Sequence, residues 1–548
     1  MHDSKQIAGL VGPVLVAMLV AESPLVQPHL YDAQIPPVVY LSGVLMFTAG
    51  LAIVRAHNRW ARNWTVLVTL AGWFALALGL FRMFAPSLYQ QSSANTSATV
   101  FIVLEGILLV LGLIMTFKAY APDKQSNRVA IRLAVVLGLL VLAVAIALPI
   151  ALPVFRFPHP SGPYEIGTLT YHWVDTSRAE IFTADPNARR ELMVQIWYPA
   201  QGKASSPRAP YVQDADTLAL ALARLKHLPE FVFGQLKNVT TNAIPSAPVA
   251  DDEPNYPVLI FLEGANGFRQ MNTFQVEELA SHGYVVAAID QPYTAASVVF
   301  PDGHQATGLP FDQMKPLIRQ SYSPADKAPT LHGRTFKDGI ITYLAQDVIF
   351  TLNQLATLNL ADSNGILTGR FDLQRVGTFG VSLGGIVGGQ ACRLEPRLRA
   401  CLVMDAPMPT DVVQAGLQQP TMWITRDAKT MQLEGWPQIE IDEHQTTMRA
   451  AFDSLRGDGY FVQVSGMFHV NLTDVPFWSP LFSLLGVTGP IDGQRAHSII
   501  NAYSLAFFNR HLKDRAEALL DGPASQYPEV RFETRRRPTG ERYSSWQK

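Results

Sequence analysis

The chain has 548 residues, a formal net charge of −2, 48% hydrophobic but only 16% charged residues, and a mean hydropathy of +0.12. So even a charge balance offers no basic face, which excludes nucleic acid as an expected partner. Two cysteines, Cys392 and Cys401, are too few for a disulfide framework or a cysteine-built zinc site. They are either one bridge, if their domain lies outside the cytoplasm, or two buried thiols.

The apolar content is concentrated before about residue 155. Five stretches there, approximately 7–25, 37–54, 65–85, 99–117 and 131–153, approach the length needed to span a bilayer, for which about 20 residues suffice. The connecting segments alternate in charge. Arg55, Arg59 and Arg62 lie in one and Lys118, Lys124 and Arg128 in another, whereas the other two contain no Lys or Arg. The positive-inside rule then predicts cytoplasmic basic loops, an N-terminus inside and everything after residue 155 on the outer side of the cell membrane. Glu22, Arg82 and Glu105 fall within or at the ends of these stretches, toward the outer leaflet, where Arg82 is placed to pair with a carboxylate. The expectation is an all-α transmembrane domain of about five helices over 1–155, followed by a globular domain over 156–548.

The segment FRFPHPSGPYEIGTLTYHW, rich in Pro and Gly, reads as a linker into that second domain. Beyond it, short apolar runs (ELMVQIWYP, YPVLIFLEG, YVVAAIDQP, RVGTFGVS, ACLVMDA, PTMWITR) alternate with helical patterns such as TFQVEELASHG and DGIITYLAQDVIFTLNQLATLN. Runs that are apolar throughout mark strands buried on both faces, and their alternation with helices predicts a mostly parallel sheet flanked by helices.

Ser382 stands in Gly380-Val381-Ser382-Leu383-Gly384, with RVGTF leading in and GGIVGGQACRL leading out. A G-x-S-x-G at a strand-to-helix turn is what a nucleophile elbow requires, because its glycines permit a tight turn that leaves the hydroxyl exposed. A serine nucleophile needs a base. Of the downstream histidines, His444, His497 and His511 read as exposed positions on amphipathic helices, whereas His469 follows the strand GYFVQVSG and stands in a loop. The third group must be a carboxylate that orients the imidazole. Asp405 ends ACLVMD and Asp427 ends PTMWITRD, and both positions satisfy that requirement.

The region from about 155 to 535 resembles the platelet-activating-factor acetylhydrolase family of serine esterases. The matches are QIWYP, FLEGANGFR followed by ELASHGYVVAAID, the elbow GVSLGG, CLVMDA and HVNLTD. The resemblance implies an α/β-hydrolase fold. It favours Asp405, 23 residues after Ser382, as the acid and His469 as the base, with Asn471 and Asp474 matching the positions beside that histidine. It also implies that the backbone N–H groups of Leu383 and Ala265 form the oxyanion hole. Glu263 departs from the family pattern, which has histidine before the glycine. The implied substrates are lipids with short or oxidised acyl chains, with no cofactor and no metal. Polyester or small-ester hydrolysis, and thioesterase or peptidase activity, remain open on the same scaffold. So does a non-catalytic membrane sensor or transport component. The apolar segment from Asp216 to Leu236 reads as a cap over an acyl pocket, a surface resting on the bilayer, or a buried core helix.

Overall fold

The computed structural model describes residues 2–22, 36–86, 89, 98–120, 151–203 and 205–536. The chain divides into two compact units, Met1–Pro153 and Val154–Lys548.

The described part of the first unit holds helices α1 (His2–Glu22), α2 (Pro36–Ala56), α3 (Val66–Phe84) and α4 (Ala98–Tyr120). Helices α2 and α3 pack backbone to backbone. A Cβ on Gly50 would lie 2.4 Å from Leu76 N, and one on Gly79 equally close to Phe47 N. Close approach through small residues is how apolar helices gain contact where burial from water contributes little. Arg82 donates to Ser42 Oγ at 3.2 Å and to the Tyr89 hydroxyl, over whose ring its guanidinium sits at 4.4 Å. Among the described residues, two helices, α2 and α3, are long and apolar enough to cross a membrane, rather than the five expected from the sequence. The expected spans 7–25 and 99–117 fall on α1 and α4, while residues 131–150 of the fifth lie outside the described residues.

The second unit is built on a ten-stranded sheet. In chain order its strands are β1 (Glu165–Ala179), β2 (Arg189–Ala200), β3 (Ile244–Pro245), β4 (Tyr256–Leu262), β5 (Val285–Asp290), β6 (Phe371–Val381), β7 (Leu398–Met404), β8 (Thr421–Thr425), β9 (Gly459–Val464) and β10 (Val530–Arg535). They lie in the order β10-β9-β8-β7-β6-β4-β5-β2-β1-β3. The central block from β5 through β9 is parallel, while β2 on one side and β10 on the other run antiparallel to it. Alternate residues of β4 show why its sequence is apolar throughout. Val258, Ile260 and Leu262 join the core on one face, and Leu259 and Phe261 that on the other. The predicted linker is shorter than its Pro and Gly content suggested. From Glu165 it is already β1, a 15-residue strand that pairs with β2, and its middle is only half-buried, which blurs the apolar signal.

Two helices and a disulfide position the site. Helix α9 (Leu383–Leu394) leaves the end of β6, and α10 (Gln438–Ser454) packs beyond β8. Cys392 on α9 and Cys401 on β7 form a disulfide with Cα atoms 6.6 Å apart, tying the helix that follows Ser382 to the strand that precedes Asp405.

Candidate active site

In register, Gly380 of β6 pairs with Leu262 of β4, and Val381 with Met404 of β7. Ser382, Glu263 and Asp405 are therefore the first residues beyond three adjacent parallel strands, at the carboxyl edge where sheets of this kind bind ligands. Ser382 turns the chain from β6 into α9 with φ 57° and ψ −121°, a sparsely populated conformation for a residue with a Cβ. Its N–H donates to Met404 O at 2.9 Å. The flanking glycines are steric requirements. A Cβ on Gly384 would lie 2.1 Å from Leu262 O, and one on Gly380 2.4 Å from the Gly384 carbonyl carbon.

Asp405 is fully buried, and both of its oxygens are hydrogen-bonded. Oδ1 accepts from Thr425 Oγ at 2.8 Å, and Oδ2 accepts from Arg426 Nε at 2.7 Å and from His469 Nδ1 at 2.6 Å. His444 Nε2 stands 3.3 Å from Oδ1. Burial by itself would raise the Asp405 carboxyl, but the Arg426 guanidinium and then His444 hold it well below the usual carboxylate range. His469 is the first residue of a short turn, His469–Leu472. Asn471 braces that turn, its Oδ1 accepting from Phe468 N at 3.0 Å and Gly489 N at 2.8 Å. Burial lowers the His469 imidazole below its ordinary value despite the Asp405 carboxylate, so the ring is neutral at neutral pH. Asp474 lies deeper, accepting from Thr273 N, Phe274 N and the Tyr211 hydroxyl.

Asp427, the other candidate acid, is the N-cap of the short helix Ala428–Leu433, with Thr430 N donating to its Oδ1 at 2.7 Å. The reading of the remaining histidines as exposed needs correction. His444 and His497 are each 4% exposed. His444 shares its helix face with the buried Ile441, Met448 and Phe452, a spacing that could have revealed it. His497 is stacked on Phe274 and donates from Nε2 to Thr473 O at 2.8 Å, and His511 is half-buried beside the Tyr460 hydroxyl.

Ser382, Leu383, Ala265, Asp405, His444 and His469 line one cavity of about 90 Å³. The Ala265 loop runs against the elbow, since a Cβ on Gly264 would lie 3.3 Å from Ser382 Cβ. Glu263 beneath it is 2% exposed, its Oε1 accepting from Gln291 N at 2.9 Å. Burial, and then the Asp290 carboxylate, push it well above the ordinary range. The far wall comes from Phe311, Ile318 and Tyr322, of which the first two lie on α7 (Phe311–Arg319), and from Trp436. None of these was singled out by the sequence. Lys315 and Arg319 of that helix pair with Glu440 (2.6 Å) and Glu443 of α10. No residue of the Asp216–Leu236 segment lines the cavity. Its helix and turns bury Leu218, Leu222, Phe233 and Leu236 in a separate cluster with Phe268 and Trp478, and leave Leu220 and Phe231 exposed.

An imidazole oriented by a buried carboxylate beside a strained serine is an arrangement suited to acyl transfer, and the chain's relatives point the same way. Residues 150–522 match the model of the family described as platelet-activating factor acetylhydrolase, isoform II. A platelet-activating factor acetylhydrolase of Gallus gallus is 22% identical over 67% of this chain and 87% of its own length. A probable 1-alkyl-2-acetylglycerophosphocholine esterase of Arthroderma benhamiae is 24% identical over 69% and 94%. Among solved structures, a ferulic acid esterase from Streptomyces cinnamoneus superposes with a TM-score of 0.55 at 28% identity, covering 69% of this chain and 99% of that one. The chain is a carboxylic ester hydrolase, and over its α/β unit it belongs to the platelet-activating factor acetylhydrolase, isoform II, family.

Proposed function

We propose that the protein is a membrane-anchored serine esterase that cleaves short-chain or oxidised acyl groups from lipid esters through an acyl-enzyme. Ser382 Oγ attacks the ester carbonyl while His469 Nε2 takes its proton. The Leu383 and Ala265 N–H groups receive the oxyanion. His469 then returns the proton to the leaving alcohol, and water repeats the cycle on the acyl-serine. Asp405 holds His469 in the tautomer with Nδ1–H and stabilises the imidazolium that forms. The observation that supports this reading best is the 2.6 Å contact between His469 Nδ1 and Asp405 Oδ2 at the wall of the cavity that contains Ser382.

Cavity size supports the choice of acyl group. About 90 Å³ is far below the ~300–1,000 Å³ of pockets that engulf drug-sized ligands. Its size suits an acetyl group better than a palmitoyl chain. Withdrawing a long chain from a bilayer also costs about 0.8 kcal/mol per methylene. An sn-2 acetyl phospholipid is expected to be hydrolysed well above dipalmitoyl phospholipid in chelator-containing buffer, with released acetate or palmitate as the readout. Equal rates, or activity on soluble esters only, would remove the phospholipid assignment and leave the serine mechanism standing. The ferulic acid esterase likeness favours a second reading, hydrolysis of hydroxycinnamate esters, with the aromatic wall of Phe311, Tyr322 and Trp436 as the ring-binding surface.

For the membrane arrangement, the proposal keeps residues 1–155 as a multi-pass anchor and 156–548 as an extracytoplasmic catalytic domain. The alternating loop charges support it, as does the Cys392–Cys401 disulfide, since such bonds persist in oxidising compartments. Alkaline phosphatase fused after residue 155 should be active in whole cells and inactive when fused at Arg59. The opposite pattern would invert the orientation.

A further inference from the structure

We propose that Arg426 and His444 are positioning residues for ester hydrolysis, pinning the Asp405 carboxylate in the single orientation in which Oδ2 accepts from His469 Nδ1. This rests on the assignment of Asp405 and His469 proposed above and adds two residues to it.

A carboxylate offers about four lone-pair sites, and around Asp405 each has a neighbour. Thr425 and His444 face Oδ1, while Arg426 and His469 face Oδ2. Rotating the carboxylate would break all of these contacts at once. Arg426 is itself wholly buried and fixed on three sides. Its guanidinium pairs with Glu434 and lies 4.4 Å from the centre of the Trp436 ring, and its carbonyl accepts from Gln445 Nε2 at 3.0 Å. Glu434 reaches the histidine as well, since His469 N donates to its Oε1 at 3.2 Å. Trp436 fills the space between the two imidazoles, 5.6 Å from His444 and 5.7 Å from His469. One short segment, Arg426 to Trp436, thus cups both the acid and the base.

The cation also decides which protonation state the pair adopts. Burial favours the neutral acid, and Arg426 opposes this at Oδ2. The same positive charge disfavours protonation of His469. Activity requires an ionised Asp405 and a neutral His469, so Arg426 keeps the acid limb of the pH profile low. The other charged or titratable groups facing this pair are Glu434 on the same segment and His444 on α10. Lys315 and Arg319 of α7, with their partners Glu440 and Glu443 of α10, line the same cavity.

The test is the pH dependence of kcat and KM on p-nitrophenyl acetate for the full-length protein and its Arg426→Met, Arg426→Lys, His444→Ala and His444→Gln variants. Fluorophosphonate labelling of Ser382 is followed in parallel. Arg426 disfavours protonation of both Asp405 and His469, so Arg426→Met should shift the acid limb upward while Arg426→Lys largely restores it. Loss of orientation costs between about tenfold and a hundredfold in turnover. His444→Ala should therefore lower kcat by that factor at unchanged KM, with most of it recovered in His444→Gln, which retains a hydrogen-bonding tip. An acid limb that stays in place in Arg426→Met, or equal losses in the two His444 variants, would overturn the proposal. If Arg426→Met fails to fold, the His444 pair, which leaves the Arg426 cation in place, decides. A wild-type protein that resists the probe would instead defeat the underlying serine reading, so the two failures are distinguishable.

Discussion

Replacing Ser382 with alanine is expected to abolish esterase turnover, by on the order of 10⁴–10⁶-fold on a p-nitrophenyl ester, because among the described residues no other serine, threonine or cysteine lines the cavity. The fold should be indifferent to the change. Ser382 already holds a Cβ at φ 57°, and its backbone bonds to Met404 and Ile386 do not involve the hydroxyl. Stability should therefore stay within about 0.5 kcal/mol of wild type, as for substitutions that touch no buried contact. Activity and unfolding are measured on the same preparation, and the variant should lose its fluorophosphonate label together with its activity. Wild-type turnover in this variant would sink the elbow assignment, and loss of activity with loss of fold would leave the nucleophile unassigned.

How much of this was legible in the sequence depended on whether one residue's neighbours along the chain were also its neighbours in space. The elbow was legible because strand, turn and helix are consecutive, and the glycines that permit it stand two residues either side of Ser382. The strands β2 and β4 through β9 were legible because burial on one or both faces leaves an apolar run. Strand β1 was hidden, since its half-exposed middle and the Pro- and Gly-rich approach look like a linker. His444 and Arg426 were hidden for a different reason. Each is polar and adjacent to polar residues in the chain, and only the packing of α10 and β8 around Asp405 brings them to the carboxylate. The N-terminal unit shows the limit of composition. Five apolar runs suggest five spans, but among the described residues only α2 and α3 meet the demands of both length and apolarity.

The two carboxylates give the second large effect, and the structure makes the contrast between them sharp. They follow adjacent parallel strands, β7 and β8, and sequence position alone left them equivalent. Asp405→Asn replaces an acceptor-only group with an amide while Arg426 Nε and His469 Nδ1 both still point donors at Oδ2. If the amide oxygen stays with Arg426, its NH2 faces Thr425 and His444; if it flips, it opposes two donors. In either case the negative charge that stabilises the imidazolium is gone, and a fall in kcat of about 10³–10⁴ is expected. The loss should persist at high pH, because the imidazolium that forms in each turnover still lacks the negative charge that stabilises it. Asp427→Asn changes something else. Its Oδ1 serves Thr430 N at the start of a short helix, and asparagine caps a helix about as well as aspartate. Turnover should stay within about twofold of wild type, and even Asp427→Ala should cost only about 1 kcal/mol of stability. Steady-state kinetics on the three variants, each checked by thermal unfolding, read both effects. A large kinetic loss at Asp427 with little at Asp405 would move the acid to the neighbouring strand and leave the buried Asp405–Arg426 pair as a purely structural link between β7 and β8.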